Sequence, residues 1–410
     1  MKYKCLAVSL LAATALTNAA YATDLEVTHW WTSGGEAAAV AEMAKAFDAS
    51  GDHWVDGAIA GSGGTARPII VSRILGGDPM GATQLNHGQQ AKELIEAGLL
   101  QDLTDVATAE GWKDIVNPIS LLDSCTYEGK IYCVPVNIHS AQWLWLSNAA
   151  FAKANLPVPT NWSEFVADAP ALEAAGIIPL AMGQQPWQSN LAFGDIAVAV
   201  GGVDLWKKIN IDKDAEAAAS PEMLKVFEAA VQARGMAAKS NVQDWNQATN
   251  LVITGAAAGQ LMGDWAQGEF QVANQVAGKD YTCLPGLGVT KFIATGGDAF
   301  YFPVNKDPEI TAAQKRLASI LISKDLQVKF NLKKGSLPIR GDIDLSAAND
   351  CMKQGLEILK AGNILPSGDQ VFTPDTQGQL EDLFVTFFAS TTETAAEAQA
   401  KYAAIIAAAE

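Results

Sequence analysis

The sequence predicts an α/β protein built as two lobes. Segments that alternate like strands are followed by segments patterned like helices along most of the chain. The chain has 410 residues, 49% hydrophobic and 18% charged, so it folds and is long enough for two cores of ordinary size. No low-complexity tether divides it. Two lobes without a tether imply a hinge made of crossing segments.

The first 22 residues read as a signal peptide rather than as part of the fold. Lys2 and Lys4 supply the positive end, and Cys5 to Leu16 is an apolar run of about h-region length. Ala20-Tyr21-Ala22 is a small-x-small cleavage site, so the mature chain is expected to begin near Thr23. Asn18 ends the apolar run too early for a membrane span. Cys5 lies at the start of the run, which does not suit lipid attachment.

Leu25 to Trp30 alternates as a strand, and Thr32-Ser33-Gly34-Gly35 makes a turn. Ala37 to Phe47 is rich in helix formers, with Val40, Met43, Ala44 and Phe47 on one stripe. Gly61-Ser62-Gly63-Gly64 reads as a glycine turn before a helix from about Ala66 to Leu75. Ala82 to Leu85 is a short buried strand, and Gln89 to Ala97 the next helix. Pro135 to Leu146 reads as one or two strands. Asn161 caps a helix opening at Trp162, and Ile177 to Met182 is a strand. Gly183 to Asn190, with Trp187 inside it, reads as a polar loop. Ser220 and Pro221 start a helix that runs to Ala233. Strands follow at Ala257 to Met262 and Ala299 to Val304, then helices at Ala312 to Ile322 and Thr392 to Ala408.

Beyond the signal, four cysteines remain: Cys125, Cys133, Cys283 and Cys351. An even number in an exported chain points to two disulfides. Cys125 and Cys133 flank a hairpin-like turn at Tyr127 to Lys130, which suits a cross-strand bridge and leaves Cys283 for Cys351. Four cysteines allow three pairings, and spacing alone does not choose among them. The spacing does not match structural zinc sites.

Lys and Arg number 28 against 45 Asp and Glu, a net charge of −17. That balance excludes a nucleic-acid footprint. The four histidines form no metal pair, and neither a nucleophile elbow nor a phosphate-binding loop is present. Tryptophan is the unusual feature, with 11 residues. Trp30 and Trp31 end a strand, where neighbours point to opposite faces, so only one of them serves the core in the ordinary way. Trp265 follows Met262-Gly263-Asp264. An indole face fits the C–H face of a pyranose, while carboxylates, amides and Lys fit its hydroxyls. Trp54, Trp112, Trp162 and Trp206 read as core residues.

Taken in order, several blocks resemble the extracytoplasmic solute-binding proteins of ABC sugar importers. The likeness is greatest to the glucose- and aldose-binding branch of the maltose-binding-protein-like family. The blocks are Trp30 to Glu36, Ser72-Arg73 through Gly77-Asp78-Pro79 to Gln84, and Val134 to His139. They continue with Asn161 to Phe165, Met262 to Trp265, Gly297 to Phe300 and Lys334 to Arg340. The resemblance implies a two-lobe periplasmic-binding-protein fold of type II, closing on its ligand like a hinged clamp. The first lobe would hold residues 24–136 and 292–333, and the second 137–291 and 334–410. The protein would be periplasmic and monomeric, with a small sugar and the membrane subunits of an ABC permease as partners. It would need no cofactor, metal or covalent chemistry.

By the same resemblance, Trp30 and Trp31 supply aromatic contact from the first lobe and Glu36 accepts from a sugar hydroxyl. Gln84 and Asn86 stand at a strand end facing the ligand. Asp264 and Trp265 come from the second lobe, with the indole as stacking platform. Asp298 accepts and Lys334 donates to hydroxyls, and His139 contacts the ligand or supports the hinge. Two departures stand out. Glucose binders carry a His in a late loop that here reads Ile364 to Gln370 without one, and Asn86 stands where relatives often place Lys or His. The competing readings are a small glycoside or disaccharide, another solute such as a polyamine or amino acid, and a secreted glycoside-acting enzyme.

Overall fold

The computed structural model describes residues 22–409. The signal segment, apart from Ala22, lies outside the described residues. The strands of the first half are β1 (Asp24–His29), β2 (His53–Ala58), β3 (Ala82–Asn86), β4 (Thr126–Tyr127), β5 (Lys130–Ile131) and β6 (Cys133–Pro135). They are followed by β7 (Trp143–Ser147), β8 (Ile178–Ala181), β9 (Ala257–Met262), β10 (Tyr281–Pro285), β11 (Ile293–Ala294), β12 (Asp298–Tyr301) and β13 (Ile364–Leu365).

Two sheets organise the chain. The first has the order β2-β1-β3-β12-β6, with β1, β2 and β3 parallel and β12 antiparallel to both its neighbours. The second has the order β10-β7-β9-β8. Helices cover both sheets, as buried parallel strands require. The chain passes from the first sheet to the second between Pro135 and Trp143, and returns between Pro285 and Asp298. A third passage follows helix Lys324–Lys334, which packs on helix Gly34–Asp48, because Cys351 beyond it is bonded to Cys283 of β10. An antiparallel bridge between Ile138 and Leu337 ties two of these passages together. This is the hinged two-lobe architecture expected from the sequence.

Several local expectations shift. His53–Ala58 is a strand that the alternation did not mark. Gly61-Ser62-Gly63-Gly64 is not a free turn, since helix Ser62–Leu75 begins within it. Gly63 lies beside the Trp30 ring, which a Cβ there would meet at 3.4 Å, an ordinary van der Waals contact. The polar stretch around Trp187 is helix Pro186–Ile196, opened by a proline in its first turn. Pro135 to Leu146 is mostly not strand: β6 ends at Pro135 and β7 begins at Trp143, and the residues between form the first passage. Caps fall where the sequence places them at Asn161 and Ser220, whose side chains accept from backbone N–H groups in the first turn, and Thr394 does the same for the last helix, Ala395–Ala408. The disulfides join Cys125 to Cys133 across the β4–β5 hairpin and Cys283 to Cys351.

Candidate functional site

The register of the first sheet builds one wall of the cleft. β12 runs antiparallel to β3 and sets Asp298 opposite Asn86 and Phe300 opposite Gln84. Residues two apart on a strand share a face, so Gln84, Asn86 and Asp298 point the same way. Asp298 is buried and fully held: Gln84 Nε2 donates to one oxygen at 2.6 Å and Asn137 Nδ2 to the other at 2.8 Å. His139 Nδ1 lies 3.3 Å from the second oxygen. Burial opposes ionisation of Asp298, but His139, Lys334 and Asn137 outweigh it and keep its pKa far below the ordinary carboxylate value. His139 is shifted upward: burial works against its charge, and the Asp298 carboxylate more than compensates.

Helix Gly34–Asp48 brings Glu36 to the same place from its first turn, with Ser33 capping it. Lys334 Nζ lies 3.0 Å from Glu36 Oε1 and is 2% exposed. It also sits 5.7 Å from the Trp265 ring centre and 5.9 Å from that of Trp31, within cation–π reach. Lys334 is the last residue of the helix packed along Gly34–Asp48. It therefore reaches the cleft from the first sheet's side, not from the second lobe as the expected boundary had it. Trp265 comes from the second sheet, just after β9. His139, Trp187 and Trp245 surround it at ring-centre distances of 5.3, 6.1 and 6.4 Å.

These groups line a cavity of about 310 Å³ between the lobes. Trp30, Trp31, Glu36, Asn86, His139, Trp265, Asp298 and Lys334 all face it. Trp30 is the half-buried member of its pair, while Trp31 is 2% exposed and packs edge-on to Phe300 and against Phe330. Trp31 thus serves mainly the first core.

Gln84 and Asp264 do not line the cavity. Gln84 is fully buried behind it and accepts from the Trp30 backbone N–H while holding Asp298. Asp264 accepts from the Ser140 N–H at 3.0 Å, and its other oxygen has no partner among the described residues. Gln84 thus orients Asp298, which lines the cavity, and Asp264 holds the backbone of the first passage at Ser140. Burial pushes the Asp264 carboxyl up to about 8, against the opposing pull of the Ser140 amide and the His139 and Lys334 charges.

That shift has a sign. An unfolded Asp titrates near 3.9, so between about pH 4 and 8 the folded chain holds a proton that the unfolded chain has lost. Stability contributed by this group therefore falls as pH rises through that window. We expect the melting temperature of the ligand-free protein to drop between pH 5 and 8, and Asp264→Asn to reduce that drop. A drop of the same size in the variant would show that Asp264 is ionised throughout.

Some cavity residues were not marked from the sequence. Asp369 lies in the late stretch that lacks the His of glucose binders. It receives Asn86 Nδ2 at 2.7 Å and Gln90 Nε2 at 2.9 Å from across the cleft. Trp206, read as core, is half-buried and lines the cavity, as do Trp187 and Trp245. Tryptophan content was the available signal for all three.

The chain matches the model of the bacterial extracellular solute-binding proteins over residues 31–316. It is 38% identical over 361 residues to a probable sugar-binding periplasmic protein of Brucella melitensis biotype 1, covering 87% of this chain and 85% of the relative. A probable sugar-binding periplasmic protein of Rhizobium meliloti is 36% identical over 357 residues, covering 86% and 84%. Among solved structures, a protein described with xylan utilization by the thermophilic bacterium Caldanaerobius polysaccharolyticus superposes with a TM-score of 0.77. It is 21% identical and covers 92% of this chain and 98% of its own. Two lobes, three passages between them and a lined cleft agree with that match, and the chain belongs to the family of bacterial extracellular solute-binding proteins.

Proposed function

We propose that this protein is the periplasmic substrate-binding component of an ABC transporter. In this reading it captures a monosaccharide, glucose or a related aldose, between its lobes and presents the closed form to the membrane permease. The observation that carries the reading is the meeting of indole faces, from Trp30 and Trp265, with Glu36, Asn86, His139, Asp298 and Lys334 in one cavity. Aromatic planes match the C–H face of a sugar ring, and the charged and amide groups match its hydroxyls. The size supports it too, since about 310 Å³ is at the small end of ligand pockets, roughly 300–1,000 Å³.

Closure follows from contacts on both sides. A ligand shifts an open–closed equilibrium only by binding the closed form better. A ring held by Asp298 and Glu36 from one lobe and Trp265 from the other does so.

The test is a thermal-shift panel on the mature, ligand-stripped chain with mono- and disaccharides, amino acids and polyamines. Ligand at a hundred times its Kd adds about 2.7 kcal/mol to the native state, so a selective rise with an aldose is expected. A flat response to every sugar, or a rise only with spermidine or putrescine, overturns the reading. Turnover of aryl glycosides by the same preparation would instead favour an enzyme.

A further inference from the structure

Residues 364–372 link the lobes without being one of the three chain passages. The far end of this segment is anchored in the second core. Phe372 is buried there, and Lys213 Nζ donates to the Val371 carbonyl at 2.7 Å while lying 3.7 Å from the Phe372 ring centre. The near end, β13, pairs with β11 on the chain's return from the second sheet to the first. Thr295 on that return donates to Gln370 Oε1 at 3.2 Å. Between these ties the turn at Gly368–Val371 lies against the first lobe.

Asp369 makes that contact with both oxygens, one to Asn86 Nδ2 and the other to Gln90 Nε2. Gly88 stands between the two donors in the chain. Its φ is +112°, and a Cβ on it would lie 2.5 Å from the Asp369 carbonyl oxygen. Glycine alone suits both that conformation and that approach. Gln90 is aimed in advance: its Oε1 accepts from the Asn86 backbone N–H at 3.0 Å, which leaves its Nε2 for Asp369. Asn86 Oδ1 has no partner among the described residues, so Asp369 is the group that orients the Asn86 amide. Asn86 and Asp369 line the cavity and Gln90 does not.

We propose that residues 364–372 form a latch between the lobes, closed by Asp369 on Asn86 and Gln90, and that this latch biases the lobes toward the closed form and slows release of the solute. Every bonded group belongs to the protein, so the bias is present with or without ligand and does not depend on which solute the cleft holds. A carboxylate that takes an amide donor on each oxygen binds more strongly than a neutral pair. Opening the lobes parts Asp369 from both donors, while the Lys213 tie stays within the second lobe. The latch therefore acts on the open–closed equilibrium. It lengthens the bound state and leaves the encounter with the open form unchanged. Gln90 works through Asp369 and is a positioning residue.

The experiment compares the mature, ligand-stripped wild type with Gln90→Leu, Asp369→Ala and the double variant. Small-angle scattering without sugar reads the separation of the lobes. Each single variant is expected to show a larger radius of gyration than the wild type. The double variant should open no further than Asp369→Ala, because both changes act through one contact. Stopped-flow kinetics with D-glucose as the probe should show Gln90→Leu releasing about fivefold faster or more, with association within about twofold of the wild type. Thermal melting establishes that each variant is folded. Gln90→Leu leaves Phe372 and the Lys213 tie untouched, so it carries the test even if Asp369→Ala does not fold.

Wild-type scattering from folded Gln90→Leu overturns the latch, and so does an unchanged release rate in that variant. A lower melting temperature with neither change would make the segment a local prop of the second lobe, which also overturns it. Additive opening in the double variant would mean that Gln90 and Asp369 act separately, against the proposal. If the wild type does not bind D-glucose, the failure falls on glucose as the solute, and the scattering comparison decides the latch by itself.

Discussion

Asp298→Ala is expected to cost both stability and affinity. The carboxylate holds Gln84, Asn137 and His139 at once, and its partners are buried or half-buried. Removing it leaves two amide N–H groups unpaired and the His139 ring without its carboxylate partner. Breaking a buried charged pair in this way costs about 3–5 kcal/mol. A hydrogen bond from a sugar hydroxyl to an ionised acceptor is worth about 1.5–3 kcal/mol, roughly ten- to a hundredfold in affinity. Thermal melting and calorimetry read the two effects separately. Asp298→Asn keeps the shape and isolates the charge, and it should lose less stability than the alanine variant. A folded Asp298→Ala protein that binds its sugar as tightly as the wild type would remove Asp298 from the site.

Gly35→Val is expected to spare the fold and impair closure. Gly35 opens helix Gly34–Asp48 and meets Gly268 of helix Ala266–Val272, which follows Trp265. A Cβ on Gly35 would lie 2.5 Å from the Gly268 carbonyl carbon and 2.7 Å from its Cα. Backbone on both sides leaves nothing to rotate away, so the two helices must separate. The bond from Gly35 N–H to Glu269 Oε1, 2.7 Å long, goes with them. Separation moves Glu36 away from Trp265, so affinity should fall at least tenfold while the unliganded melting temperature changes by a few degrees. Small-angle scattering with sugar present should show a more open particle than the wild type. Gly378→Ala, with open space around its Cβ, is the control. Wild-type affinity in Gly35→Val would mean that this contact is not part of the ligand-bound form.

Much of the site is legible in residue types. Trp30, Glu36, His139, Trp265, Asp298 and Lys334 stand in short blocks whose chemistry suits a hydroxylated ring, and the fold brings them to one cavity. Gln84 and Asp264 belong to the same blocks and are nevertheless set behind it. Spacing says which face of a strand a side chain shares, but not how deep that face lies once β12 and the first passage cover it. Trp31 and Trp206 show the same limit in opposite directions. Burial of an indole depends on what packs over it, and that partner comes from a distant part of the chain: Phe300 and Phe330 for Trp31, an open cavity for Trp206.

Local patterns by themselves determined the strand–helix alternation, the helix caps, the absence of a tether and the sugar-like chemistry of the Trp and carboxylate blocks. Those features depend on residues a few positions apart, where backbone preference and periodicity act directly. Only the tertiary structure decided that Lys334 pairs with Glu36, that Asp369 answers Asn86 and Gln90 across the cleft, and that Asp195 Oδ2 has no partner among the described residues. Each of these joins or isolates groups by way of the three passages between the sheets. Their energies come from burial and charge at short range in space, which the order of residues along the chain does not specify.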